Sequence, residues 1–247
     1  MGRLTDAIKH ILIVNVLFFV ATALYGDQMY EWFSLWFPKN EHFGLWQMIS
    51  HMFMHGGFMH IGFNMYALWA FGTPLERMWG RNKFLFFYFS AGLGAALIHT
   101  GVNYYYFNEG IDALVNSGIS KNDVMQIISS GQYSPGWYEI ASKSTIDNFL
   151  SAYNTPAVGA SGAIYGILVA FGMSYPNSEL FLIFLPIPIK AKYFIPVLIG
   201  LDLFSGVTGY SIFGGGIAHF AHVGGAIAGF IMMWYWKKNQ FNDKRWN

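Results

Sequence analysis

The sequence predicts an all-α polytopic membrane protein, built as a bundle of six transmembrane helices. Of its 247 residues, 54% are hydrophobic and 19% are aromatic, whereas only 11% are charged. So few charged residues cannot cover a water-exposed surface of this size. The apolar residues are also gathered into blocks whose lengths approach the roughly 20 residues that a helix needs to cross a bilayer.

Six apolar blocks follow one another along the chain, each bounded by polar, charged or turn residues. The fifth and sixth are rich in glycine, as closely packed membrane helices often are. Together the blocks predict one membrane domain over residues 1–236, followed by a basic tail at 237–247. The predicted spans are Ile8–Tyr25, Phe58–Phe71, Phe84–Tyr106, Ser161–Tyr175, Tyr193–Val207 and Ile217–Trp236.

The distribution of lysine and arginine predicts that both termini are cytoplasmic. With the amino terminus inside, all of the 14 basic residues except Lys39, Lys121 and Lys143 fall in cytoplasmic segments. This is the bias that orients membrane proteins. A cleavable signal peptide is the alternative for the first block, but its removal would invert the distribution. We therefore expect a multi-pass protein of a cell membrane, either a plasma or an inner membrane.

Two further segments on the outer side are not predicted to span. Residues 26–57 interleave aromatic side chains with few charges, which predicts a semi-submerged loop. Residues 108–154 form a polar insert between the third and fourth spans. Capping-box spacings at Ser120–Asp123 and Ser144–Asp147 predict short helices there. The insert is expected to cover the bundle rather than to bind a dedicated ligand.

Polar residues on three of the predicted spans share one depth. Ser161 lies 15 residues before the Pro-Asn pair that ends the fourth block, and His222 lies 15 residues before the lysine pair that ends the sixth. A rise of 1.5 Å per residue places both about 22 Å above the inner boundary of a core about 30 Å thick. The same arithmetic places His60 near 24 Å and Asn64 near 18 Å. Polar groups at this depth are expected to face one another or a water-filled cavity.

This layer has the groups that acyl transfer requires. A serine hydroxyl becomes a nucleophile when a base takes its proton, and neutral histidine is the usual base, so Ser161 and His222 supply the pair. The Asn64 amide, the His60 ring and the backbone N–H of Ser161 can donate to the oxyanion. That N–H is free because the first amides of a helix have no internal partner.

Other functions fit the same residues less well. His51, His55 and His60 could bind a metal, but their spacing does not make HExxH, so neither a metal nor a cofactor is expected. A small-molecule transporter would also carry polar groups near mid-membrane, yet the sequence shows no internal repeat. Asp202, on the fifth span, is expected to cap or to form a hydrogen bond near the outer end. The basic residues are topological flanks, so no nucleic acid is expected as a partner.

These motifs resemble those of the rhomboid family of intramembrane serine proteases over nearly all the spans. The stretch Pro186-Ile187-Pro188 sits in a loop where the family often has such a run. The matching motifs are Gly159-Ala160-Ser161-Gly162 for GxSG, Ala221-His222 through Gly225 to Gly229 for AHxxGxxxG, His60 through Asn64 for HxxxN, and Gly72 to Gly80 for the turn after the second helix.

The resemblance implies a serine endopeptidase that uses a Ser-His dyad within the membrane, near its outer side. Its partners would be the lipid bilayer and single-pass transmembrane protein substrates with unstable helices. Tyr165 would stack on His222 and hold its ring. Gly225 and Gly229 would pack the sixth helix closely on the fourth, and Gly159 and Gly162 would allow the bend and close approach around the serine.

Two alternatives remain within this resemblance. His219 competes with His222 for the role of base, although only His222 is followed by glycines three and seven residues later. The chain could also be a rhomboid-like protein that binds or chaperones membrane helices without cutting them, but such relatives lack the dyad.

The Gly214-Gly215-Gly216 run in the 208–218 loop predicts a hinged cap over the site.

Overall fold

The computed structural model describes residues 4–182, 185–210 and 218–239, and most of these residues are helical. A 3₁₀ turn covers His51–Phe53, and a π-helical segment covers Leu68–Gly72. The helices are α1 Asp6–Tyr25, α2 Asp27–Phe33, α3 Gln47–Ser50, α4 Phe58–Ala67, α5 Thr73–Trp79, α6 Arg81–Asn116, α7 Lys121–Ser129, α8 Trp137–Ile140, α9 Lys143–Asn154, α10 Ser161–Ser174, α11 Ala191–Thr208 and α12 His219–Asn239.

Three helices within the described ranges, α1, α6 and α11, are long and apolar enough to cross a membrane. Helix α10 is also apolar but has only 14 residues. These helices confirm the prediction of a helical membrane protein. Their positions match the first, third, fourth and fifth predicted spans, and α12 covers the sixth.

The helical run at the second predicted span is longer than expected. Helix α4, the π-helical segment and α5 follow one another without a break from Phe58 to Trp79, beyond the predicted end at Phe71. The prediction ended the apolar block at Phe71, where polar and charged residues follow. In the structure Pro74 lies at the start of α5, directly after the π-helical segment. The π turn that precedes α5 is wider than an α-helical turn, and it takes up the shift in hydrogen bonding between α4 and α5.

Helix α6 was also predicted too short. It has 36 residues, a length of about 54 Å, and it continues past Tyr106 through the first nine residues of the insert. Polar residues on this extension are water-compatible, but the apolar residues Phe107, Ile111 and Leu114 recur on one helical face and are buried. The apolar block therefore marks the end of the predicted span and not the end of the helix.

The insert is a small folded unit built on the end of α6. Helices α7, α8 and α9 enclose an aromatic core, to which Trp137 and Phe149 contribute buried side chains. Ser120 is the N-cap of α7, although its side chain makes no capping bond. The second predicted capping box was wrong by two residues, because Ser142 caps α9 and its Oγ accepts from the N–H of Thr145 at 3.1 Å.

Asp147, which the second box had assigned to capping, instead joins α9 to α8. Its carboxylate accepts from Lys143 Nζ at 2.5 Å and from Tyr138 Oη at 2.9 Å. These two hydrogen bonds hold the pKa of Asp147 below its usual value. The group therefore stays ionised at neutral pH.

A two-stranded antiparallel hairpin corrects the all-α prediction. Strands β1 Glu179–Leu182 and β2 Leu185–Lys190 pair with Glu179 opposite Lys190 and Leu182 opposite Leu185. The Pro186-Ile187-Pro188 run, predicted to be a loop, lies in β2. In a two-stranded ribbon each strand has one edge without a partner, so prolines can be accommodated there.

Helix α10 lies at the centre of the bundle, in contact with α6, α11 and α12. Its residues from Gly162 to Phe171 are all buried. A Cβ atom on Gly225 would lie 1.8 Å from the Gly162 carbonyl oxygen, and one on Gly229 would lie 2.6 Å from Gly166 Cα. The backbones of α10 and α12 are thus in direct contact, which fixes the first turns of the two helices relative to each other.

Replacing Gly225 with alanine should separate α10 from α12. The added methyl group meets backbone that no side-chain rotation can move, so we expect a loss of roughly 1 to 3 kcal/mol of stability, seen as a lower melting temperature, together with lower activity. Gly101→Ala is the matched control, because nothing lies within 4 Å of a Cβ at that helical glycine. Equal melting temperatures for the two variants would contradict the close packing.

Glu76 ties the second helical run to α1. Its carboxylate accepts from the N–H groups of Ala7 at 2.8 Å and Ile8 at 3.0 Å, and the Thr5 hydroxyl also donates to it. The first N–H groups of a helix lack internal partners and carry positive partial charge, so a carboxylate is stabilised there. This buried acid thereby anchors the amino terminus of α1.

Candidate functional site

The backbone before α10 delivers Ser161 to the first position of that helix. Ala157 is paired with Leu35 of the 26–57 segment through two backbone hydrogen bonds of 2.9 Å. Gly159 then adopts φ +119°, a conformation that side chains disfavour, and its N–H donates to the His51 carbonyl at 2.9 Å. The serine therefore starts the helix from a firmly held extended segment.

The structure brings Ser161 and His222 into hydrogen-bond contact. Ser161 Oγ lies 2.8 Å from His222 Nε2 across the α10–α12 interface. The ring of Tyr165 stacks on the His222 ring with centroids 4.3 Å apart and an angle of 11° between the planes. A face-to-face contact of this kind restricts rotation of the imidazole.

His60 lies on the opposite side of the serine. Gly56 N–H donates to His60 Nδ1 at 3.3 Å, so the neutral ring carries its proton on Nε2. A Cβ on Gly159 would lie 2.7 Å from that Nε2 and 3.5 Å from Ser161 Oγ, which shows that both atoms face Gly159. The His60 N–H therefore points towards the space beside the serine.

Asn64 lies one turn after His60 and is buried. Its Nδ2 donates to the His60 carbonyl oxygen at 2.8 Å, which uses one of the two N–H groups of the amide. Asn64 also lines the same cleft as Ser161. The hydrogen bond to His60 thus leaves the second N–H of the amide available on the wall of this cleft.

Asp202 belongs to the site, although sequence reasoning gave it no role there. It was expected to cap or to form a hydrogen bond near the outer end of its span, and its buried carboxylate does form hydrogen bonds. Oδ1 lies 3.1 Å from His222 Nδ1 and 2.6 Å from His219 Nδ1, and Oδ2 accepts from the Tyr165 hydroxyl. The signal in the sequence was an acid within a membrane span, a residue type that is costly there unless it has partners.

His219 is adjacent to the pair but does not contact the serine through any hydrogen bond among the described residues. Its Nδ1 is directed at Asp202. His222 instead has Nδ1 on Asp202 and Nε2 on Ser161. The geometry therefore places His222, and not its neighbour, where it can accept the serine proton.

A cleft of about 1200 Å³ opens onto Ser161 and His222. Its walls come from α4, α10 and α11, and Phe63 and Phe194 line it. Ser151 of the insert and Thr155, just after the insert, border it as well. Behind the serine lies a small cavity of about 10 Å³, next to His51 and His99. That volume has room for about one water molecule.

Two histidines of the 26–57 segment, His51 and His55, are held neutral. Burial lowers the pKa of His51 to about 4, and burial together with the nearby His60 lowers the pKa of His55 to about 4. Their Nδ1 atoms donate to the carbonyl oxygens of Gln47 at 2.7 Å and Phe53 at 3.3 Å. Both rings therefore stabilise the segment that contains His51, whose carbonyl oxygen accepts the hydrogen bond from the Gly159 N–H.

Comparison with known proteins identifies the family. The model of the rhomboid domain family matches residues 42–120 and 138–239, which is more than half of the chain. The chain belongs to the rhomboid family. The rhomboid match omits residues 121–137, which cover α7 and the loop after it, so this part of the insert is an addition to the shared domain.

Named relatives include mitochondrial and bacterial rhomboids. The chain is 25% identical over 191 residues to Rhomboid protein 1, mitochondrial, of Saccharomyces cerevisiae. It is 26% identical over 206 residues to the human Presenilin-associated rhomboid-like protein, mitochondrial, and 30% identical over 197 residues to Rhomboid protease AarA of Providencia stuartii. These matches cover 77%, 81% and 76% of this chain, but only 42%, 41% and 54% of the respective relatives.

Two predicted features lie outside the described residues. The cap predicted for the 208–218 loop rests on Gly214-Gly215-Gly216, within the stretch 211–217. The predicted basic tail begins within α12, which ends at Asn239, and its remaining residues also lie outside the described ranges. Both remain predictions.

Proposed function

We propose that this rhomboid is an intramembrane serine endopeptidase that hydrolyses peptide bonds of transmembrane proteins with a Ser161–His222 dyad. The observation that carries the proposal is the 2.8 Å contact between Ser161 Oγ and His222 Nε2, two side chains that line a large cleft. A nucleophile and a base within hydrogen-bond reach, with the base held by a third group, is the arrangement that activates a serine.

The dyad transfers a proton twice during acylation and twice during deacylation. As Ser161 Oγ attacks the peptide carbonyl carbon, its proton passes to His222 Nε2. When the tetrahedral intermediate collapses, that proton passes to the leaving amine nitrogen, which leaves an acyl-serine. Water then attacks the acyl carbon and gives one proton to His222 Nε2. When this second tetrahedral intermediate collapses, His222 returns the proton to Ser161 Oγ, which restores the serine hydroxyl, and the carboxylic acid is released.

The oxyanion of each tetrahedral intermediate is stabilised by donors on two elements. His60 Nε2–H and the second N–H of the Asn64 amide come from α4, and the backbone N–H of Ser161 comes from α10. Because the structure already holds these groups before substrate binds, little reorganisation is needed as charge develops.

The membrane arrangement is part of the proposal. Six spans are completed by the α4–α5 run, α10 and α12, with both termini cytoplasmic and the membrane domain ending near residue 236. Single-pass proteins with unstable helices would enter the cleft from the bilayer. We propose a plasma or inner cell membrane as the location, and the mitochondrial names of several relatives make a mitochondrial membrane the alternative to test.

The purified protein, reconstituted in vesicles, should cut a generic single-pass substrate within or beside its membrane segment. Ser161→Ala should abolish the cut, whereas Ser174→Ala, at the far end of the same helix, should not. Mass spectrometry of the fragments locates the cut site. Substrate that binds to the protein but stays intact would contradict the proposal and favour a rhomboid-like binding protein or chaperone.

A further inference from the structure

Among the described residues, three hydrogen-bond donors reach the Asp202 carboxylate. Its donors are the Tyr165 hydroxyl from α10 and the Nδ1–H groups of His219 and His222 from α12. Its side chain is only 1% exposed. A buried carboxylate is expensive unless such donors surround it, so this residue determines the arrangement of the side chains that bond to it.

The bond between Asp202 and His222 determines which nitrogen of His222 carries the proton. An ionised carboxylate only accepts hydrogen bonds, so the His222 nitrogen that faces Asp202 must be protonated. In the neutral ring Nε2 is then left with its lone pair. That is the nitrogen 2.8 Å from Ser161 Oγ, and it can therefore accept the serine proton.

We propose that Asp202 is a positioning residue for the hydrolytic reaction, which makes the Ser161–His222 pair work as a Ser-His-Asp triad. This proposal rests on the proposed function and deepens it. Asp202 touches no reacting atom, but it keeps the Nδ1–H tautomer of His222 and stabilises the imidazolium that forms when Nε2 takes the serine proton. The Nδ1 proton stays on His222 throughout.

Tyr165 connects the two contacts that hold the base. Its ring covers the face of His222 while its hydroxyl donates to Asp202, so one side chain restrains both the imidazole and its carboxylate partner. His219 occupies the remaining lone pair direction of Oδ1. The orientation of His222 is thus fixed from its face and from its Nδ1 edge.

Kinetics of Asp202 variants in the full-length protein test the role. Asp202→Ala removes the acceptor, and we expect kcat to fall by about 10²-fold, the lower end of what a positioned general base contributes, with little change in KM. Asp202→Asn keeps the shape but removes the charge and should also lower kcat. If Asp202→Ala does not fold, the kcat of Asp202→Asn tests the positioning role in its place. His219→Ala also removes one bond to Asp202, and its loss in kcat should be much smaller.

Nitrogen NMR of histidine-labelled protein supplies a readout that does not depend on activity. The His222 signal, assigned from its absence in His222→Gln, should show a proton on Nδ1 in the wild type and lose this preference in Asp202→Asn or Asp202→Ala. Wild-type kcat in a folded Asp202 variant, or a wild-type His222 protonated on Nε2, would overturn the positioning role. Absence of cleavage by the wild type, with the Nδ1–H signal intact, would instead overturn the proposed function.

Discussion

Ser161→Ala, His222→Ala and the double variant should all lose nearly the same activity, on the order of 10⁶-fold in kcat. The reason is that the two side chains act in one step. Without the base the serine hydroxyl is a poor nucleophile, and without the serine the base has no proton to take. Cleavage of a transmembrane substrate by each variant, measured in the same vesicles, tests the equality of the three losses.

The control for this series is His219→Ala, because His219 shares the carboxylate partner of His222 but has no hydrogen bond to the serine in the structure. It should retain far more activity than His222→Ala. Turnover close to wild type in His222→Ala would show that another group takes the proton. Losses that add in the double variant would show that the two residues act in separate steps.

Asn64→Ala should lower kcat by about 10²- to 10³-fold and change KM much less. The amide binds charge that develops in the transition state and is nearly absent from the bound substrate, so its loss slows the chemical step without weakening binding. Steady-state kinetics over a range of substrate concentrations in vesicles separate the two constants.

Asn15→Ala is the matched control for the amide. Asn15 is also a buried asparagine whose Nδ2 donates to the carbonyl four residues earlier, at 2.8 Å, and it does not line the cleft. Both variants lose the same helical bond, so similar changes in melting temperature are expected. If Asn64→Ala lowers only the melting temperature, as Asn15→Ala does, then Asn64 has a structural role and no part in binding the oxyanion.

Depth along a helix was predictable from the sequence because the rise per residue is fixed. Ser161 and His222 were assigned one depth from their distances to the ends of their blocks, and the structure has them in contact. The same reasoning located His60 and Asn64 one turn apart on the facing helix. Local sequence therefore indicated that Ser161 and His222 share one level in the bundle.

Rotation and tilt of a helix are not set by its own sequence, and the missed features depend on them. Asp202 was visible as an isolated acid, but its contact with His222 depends on how α11 turns against α12. The extension of α6 beyond Tyr106 depends on helices of the insert that cover its apolar face. The hairpin at 179–190 depends on pairing between two segments that each resemble a loop.

The shortness of α10 has a consequence for the bilayer around the site. At 14 residues it is about 21 Å long, whereas the hydrocarbon core is about 30 Å thick. Its first residue, Ser161, would then lie below the outer boundary of the core, where it borders the cleft of about 1200 Å³. If the proposed reaction occurs there, water would enter from the outer side through this cleft, without a channel through the membrane.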